Sequence, residues 1–113
     1  MPEGADDDLK RELDAISAEY RASLPQRLSD IDAAWSAIRR GEGDGESVLV
    51  VLRNLHSMAG SALTFGLPEL TTAARAAEDW IEPYHARSEV PPAGEHAGFE
   101  PLLAAVRRAA SHR

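Results

Sequence analysis

The sequence predicts an all-α protein: an antiparallel four-helix bundle with an additional N-terminal helix. Three observations predict it. Hydrophobic residues make up 43% of the 113 residues but aromatics only 5%, so the core must be built from Leu, Ala, Val and Ile. The Ala-rich stretches lack β-branched runs, which favours helix over strand. Apolar residues recur every three or four positions along five segments. The length suits one domain. The expected organisation is a flexible lead over 1–6 and a single helical domain over 7–113, with no internal repeat.

The elements follow in order. Asp6, Asp7 or Asp8 can cap a first helix, in which Leu9, Leu13, Ile16 and Tyr20 share a face. Pro25 fits the first turn of a second helix, with apolar stripe Leu28, Ile31, Trp35 and Ile38. Gly41 is its expected C-cap. Residues 41–45, with three glycines, read as a loop; no strand precedes it, so it is not read as a nucleotide cradle. A third helix is expected from about Glu46 to Thr64, with Val48, Leu52, Leu55, Ala59 and Ala62 on one face. Gly66-Leu67-Pro68 ends it and starts a fourth. The fourth carries Leu70, Ala73, Ala74, Ala77, Ile81 and Tyr84, and Pro83 is expected to kink or stop it near Ile81. Residues 86–98, with Pro91, Pro92, Gly94 and Gly98, read as a loop. Pro101 opens or interrupts a last helix carrying Phe99, Leu102, Leu103, Val106 and Ala110. Arg107, Arg108 and Arg113 near its end suit the helix dipole.

Composition narrows the function classes. There is no cysteine, so disulfides and thiolate metal sites are excluded. No apolar run reaches the roughly 20 residues needed to span a bilayer. The acidic N-terminus does not read as a signal peptide. A net charge of -7 argues against nucleic acid, whose phosphates require Lys and Arg stripes. The expectation is a soluble, acidic, complete small protein of the cytoplasm, without membrane association.

The segment with chemical content runs from Leu55 to Gly66. On a helix, Leu52, Leu55, Ala59 and Ala62 cluster within about 80°. His56 then sits at the rim of that face, while Arg53, Ser57 and Thr64 point to water. Gly60 lies one turn beyond His56 on its solvent side. A glycine inside a helix costs about 1 kcal/mol relative to alanine. Close approach of another protein to a reactive imidazole would offset that cost, and Ser57 and Ser61 are small as well. Close helix packing is the rival explanation for Gly60. A partly buried structural role is the rival for His56.

His56-Ser57-Met58-Ala59-Gly60-Ser61-Ala62 resembles the signature His-x-x-Lys-Gly-small-small of histidine-containing phosphotransfer (HPt) domains. Thr64-Phe65-Gly66 extends the resemblance to the phosphoacceptor domain of chemotaxis histidine kinases. The match covers about a dozen residues, and the helical pattern agrees over most of the chain. The resemblance implies that His56 is the phosphoacceptor and that Gly60 clears its approach. It places Arg53, Ser57, Gly60, Ser61 and Thr64 where a response-regulator receiver domain would dock, with neighbouring residues of the second helix. The usual Lys is replaced by Ala59, which removes a cation from the phosphoryl group; Arg53, three residues before His56, is an alternative source. Neutral imidazole is a competent nucleophile near pH 7. Phosphoryl transfer needs positioning and charge neutralisation. The chain offers no metal site of its own, so Mg²⁺ is expected on the partner receiver. The implied partners are that receiver and a hybrid or sensor histidine kinase. No ATP-binding motif is visible, so the chain is a carrier rather than a kinase.

Other readings stand beside this one. The chain could be a non-catalytic helical module that docks receivers without phosphotransfer, or a helical adaptor unrelated to signalling. Met58 and Leu63 fit either the core or a docking patch, and Phe65 is expected in the core. Glu82 and His85 have a metal-ligand spacing, but only one such pair exists and Pro83 lies inside it. His96, in a loop, and His112, at the tail, are expected to be solvated. Trp35 and Trp80 are expected to pack, and Arg39-Arg40 to end a helix.

Overall fold

A computed structural model describes residues 3–111. It contains four α-helices and one 3₁₀ turn: α1 (Glu3–Arg39), α2 (Gly45–Ser61), α3 (Pro68–Ala86), the 3₁₀ turn Ala93–Glu95, and α4 (His96–Ser111). Met1, Pro2, His112 and Arg113 lie outside the described residues, and with them the expectations for the tail.

The main correction concerns the start of the chain. Among the described residues there is no separate N-terminal helix, because α1 runs unbroken through Pro25. It begins at Glu3, within the segment 1–6 read as a lead. A proline inside a helix costs about 3 kcal/mol, through a lost hydrogen bond and a steric clash. Here Pro25 and Arg21 are both exposed, so the carbonyl left without a partner can face water. Tyr20, Leu24, Ile31, Trp35 and Ile38 are all buried in one core, on both sides of the proline. A break would pull part of that stripe out of the core, so tertiary burial outweighs local propensity.

The first half of α1 carries a second correction. Leu9, Leu13 and Ile16 are exposed rather than packed. The Tyr20 ring stacks on Phe65 with centroids 4.6 Å apart, and Arg21 Nη2 donates to the Phe65 carbonyl at 3.2 Å. Phe65 lies in the turn between α2 and α3, so the residues before Tyr20 run past the end of the other helices. At 1.5 Å per residue the 37 residues of α1 span about 55 Å, close to the 60 Å long axis of the molecule.

Neighbouring helices run in opposite directions. Between α1 and α2, Arg27 meets Ser57, and Tyr20 meets Phe65 just past the end of α2. On α1 and α4, Arg107 donates twice to Asp32 while Arg39 pairs with Glu100. The far end of the core is aromatic: Trp35, Trp80 and Phe99 lie with centroids 4.5–6.1 Å apart. Trp35 Nε1 donates to Glu100 at 3.0 Å.

Two further prolines and one histidine depart from expectation. Pro83 lies within α3, which continues to Ala86 because Ile81 and Tyr84 on either side are buried. Pro101 lies within α4, which starts earlier, at His96. His96 is therefore half-buried in a helix rather than solvated in a loop. Its Nε2 lies 2.8 Å from the Pro91 carbonyl, and its ring packs edge-on to Trp35.

Candidate functional site

The site is built on α2, whose two ends are fixed by local sequence. At the start, Asp44 accepts the Ser47 backbone N–H at 3.0 Å, and Ser47 Oγ accepts the Asp44 N–H at 3.3 Å. This capping box satisfies two donors that the helix start leaves free. The Ser47 backbone N–H, joined by the Ser47 hydroxyl donating to Asp44 Oδ1 at 3.2 Å, holds the Asp44 carboxyl below its ordinary value. Gly43, just before it, lets the chain pass Ile38: a Cβ there would lie 2.8 Å from the Ile38 Cα.

At the other end the regular helix stops at Ser61, three residues short of the expected Thr64, and a turn follows. Leu67 N–H donates to the Ala62 carbonyl at 2.8 Å, and Gly66 N–H to the Leu63 carbonyl at 3.2 Å. Gly66 has φ +78°, where glycine has no steric penalty. Leu67 and Ala62 are both buried beneath this turn. The turn fixes where α3 begins and hence which α3 residue faces His56.

That residue is Glu78. His56 Nδ1 lies 2.5 Å from Glu78 Oε2. The Glu78 side chain is 14% exposed, whereas that of His56 is 78% exposed. A carboxylate accepts and cannot donate, so it selects the tautomer with hydrogen on Nδ1. Nε2 then carries the free lone pair. The ring is anchored at its inner nitrogen and open at its outer one, which is an arrangement for attack on an electrophile brought by another molecule. Sequence reasoning missed Glu78. A signal was available: about ten residues separate His56 from Gly66, and twelve separate Gly66 from Glu78, so a hairpin at Gly66 brings them level.

The other expected site residues divide between two flanks. Arg53, Gly60 and Thr64 are exposed, as read from the sequence. Ser57 is not directed to water: it is half-buried, and its Oγ accepts from Arg27 Nη1 at 2.9 Å. Ser61 is also half-buried. Arg27, a second residue missed by sequence, reaches across from α1 and also donates to Ser23 Oγ. Its charge lowers the Tyr20 phenol, although burial raises that group overall. Met58 is fully buried and belongs to the core, while Leu63 is 64% exposed and does not. Ala59 is buried at 3%. A Cβ added at Gly60 meets nothing within 4 Å, so packing within the molecule does not explain that glycine.

Among the described residues no group of three or more His, Asp or Glu side chains is placed to hold a metal ion. Nor is any helix among them long and apolar enough to cross a membrane. A family model described as Hpt domain matches residues 7–110. No curated protein and no solved structure gives a significant match. The family match spans nearly the whole chain and includes both His56 and Glu78, and the chain therefore belongs to the HPt domain family, whose members carry phosphoryl groups on histidine in phosphorelays.

Proposed function

We propose that this protein is a phosphorelay intermediate with His56 as its phosphoacceptor. The observation that carries the reading is the pairing of an exposed imidazole with a largely buried carboxylate. In the forward step the Nε2 lone pair attacks the phosphorus of a receiver's aspartyl phosphate. The N–P bond forms as the P–O bond to the aspartate breaks, and the carboxylate leaves. No proton has to depart, because Nδ1 keeps its hydrogen and the ring becomes cationic. Glu78 stabilises that cation, and the reverse step returns the phosphoryl group to an aspartate. Mg²⁺ on the receiver would neutralise the phosphoryl oxygens. A hybrid or sensor histidine kinase would feed the relay, in the cytoplasm. The docking face comprises Arg53, Gly60 and Thr64 around His56, with Ser57 and Ser61 on the α1 flank.

A second reading keeps docking and drops transfer. Its support is Ala59, which supplies no cation beside the acceptor. The two readings separate in one experiment: phosphoryl transfer from a phosphorylated receiver domain, followed by intact-protein mass after acid and base treatment. The carrier reading expects an acid-labile, base-stable adduct that is lost in His56→Gln while receiver binding persists. Binding without any adduct across the host's receivers would leave only the docking module.

A further inference from the structure

Phosphorylation puts close to two negative charges on Nε2, while the single positive charge of the ring is already paired with Glu78 through Nδ1, in a chain that carries a net -7. A cation within reach would offset this, and position 59, filled by a buried alanine, provides none. Three arginines lie near. Arg27 is on the α1 flank and is engaged with Ser57 and Ser23. Arg53 lies on α2 itself, on the side of His56 away from Gly60. Arg75 lies on α3, one turn before Glu78. Because α2 and α3 are joined by the reversal at 62–67 and meet at His56 and Glu78, the turn before Glu78 lies beside the turn after His56. That is the turn of Ala59 and Gly60. Arg75 is exposed and makes no ion pair or hydrogen bond among the described residues. Gly60 leaves the space above its own Cα open.

We propose that Arg75 supplies from α3 the charge that Ala59 lacks, its guanidinium closing over Gly60 onto the phosphoryl oxygens of phosphorylated His56. The inference rests on the phosphotransfer reading. Guanidinium is suited to the task, since it stays charged and can present two N–H groups to one phosphoryl group. Glycine at position 60 then has a use inside the molecule as well as toward a partner: it keeps the path between Arg75 and Nε2 clear.

The test uses the full chain with Arg75→Gln, Arg75→Lys and Arg53→Gln. Loss of one charge-assisted contact should slow transfer from a phosphorylated receiver about tenfold in Arg75→Gln. Arg75→Lys should recover part of that rate. The ³¹P resonance of the phosphohistidine, titrated with pH, should show its second ionisation at higher pH in Arg75→Gln, which a purely structural role would not produce. Unchanged rate and titration in Arg75→Gln overturn the proposal, as does a loss confined to Arg53→Gln. Failure of the parent protein to form any phosphohistidine overturns the phosphotransfer reading itself and this proposal with it.

Discussion

Gly60 sits inside α2 with no positive φ and no neighbour that a methyl group would touch. Replacing it by alanine should therefore stabilise the fold. The full helix-interior gain is about 0.5–1 kcal/mol, and the position one residue from the end of α2 puts the expectation near the lower figure. For a domain of this size that corresponds to a rise in Tm of roughly 2–4 °C. Glutamine has a helix propensity close to that of alanine, so Gly60→Gln should be at least as stable as the parent. Its longer side chain would nevertheless stand where a receiver must approach His56. Thermal unfolding by circular dichroism reads the first effect, and transfer from a phosphorylated receiver reads the second. Transfer in Gly60→Gln should fall at least about tenfold, a loss of about 1.4 kcal/mol in transition-state stabilisation. Destabilisation by Gly60→Ala would refute the reasoning, because it would mean that the glycine is required by the fold. Parental transfer rates in Gly60→Gln would refute the claim that the gap serves access.

Three other perturbations follow from the same geometry. Glu78→Gln keeps a hydrogen-bond acceptor at Nδ1 but removes its charge, so stopped-flow transfer should slow about tenfold while helical content stays parental. Ser88 lies just past the end of α3 at φ +57°, with Ser88 N–H donating to the His85 carbonyl and Glu89 N–H to the Tyr84 carbonyl; Ser88→Gly should stabilise by about 1 kcal/mol in urea titration. Asp44→Ala removes the α2 cap and should destabilise the protein. Because the folded state depresses the Asp44 carboxyl, the parent's advantage is present above its unfolded value of about 3.9. That advantage should shrink as the pH falls through the lower folded value, which urea midpoints measured between neutral pH and pH 2 would reveal.

The position of His56 was legible in the sequence for a local reason. Helical periodicity alone puts His56 at the rim of an apolar face, and the glycine one turn on is visible in the same stretch. Its partners were not legible in the same way. Glu78 and Arg27 come from other helices, and only the packing of α2 against α3 and α1 brings them to His56 and Ser57. Pro25 misled the segmentation because its local cost was weighed without the buried residues on both sides of it, which hold the helix together; at Pro83, where a kink or a stop was expected, the burial of Ile81 and Tyr84 rules out the stop. Leu9, Leu13 and Ile16 have the spacing of a core stripe, yet spacing cannot say where the opposing helices stop. Gly41 was readable as a C-cap, since its role depends only on its own backbone: it has φ +75°, and the turn it forms joins Glu42 N–H to the Ala37 carbonyl.

The projecting first half of α1 changes how the protein will behave in bulk measurements. A compact chain of 113 residues has a radius of gyration of about 13 Å, whereas this molecule has 16.6 Å. The excess is a matter of shape, since the axes measure 60 × 22 × 20 Å. Such a rod tumbles slowly and elutes early, so a single copy will pass through a sizing column at the volume of a heavier globular protein. Mass from light scattering, rather than elution volume, is therefore the measurement that counts the copies in solution.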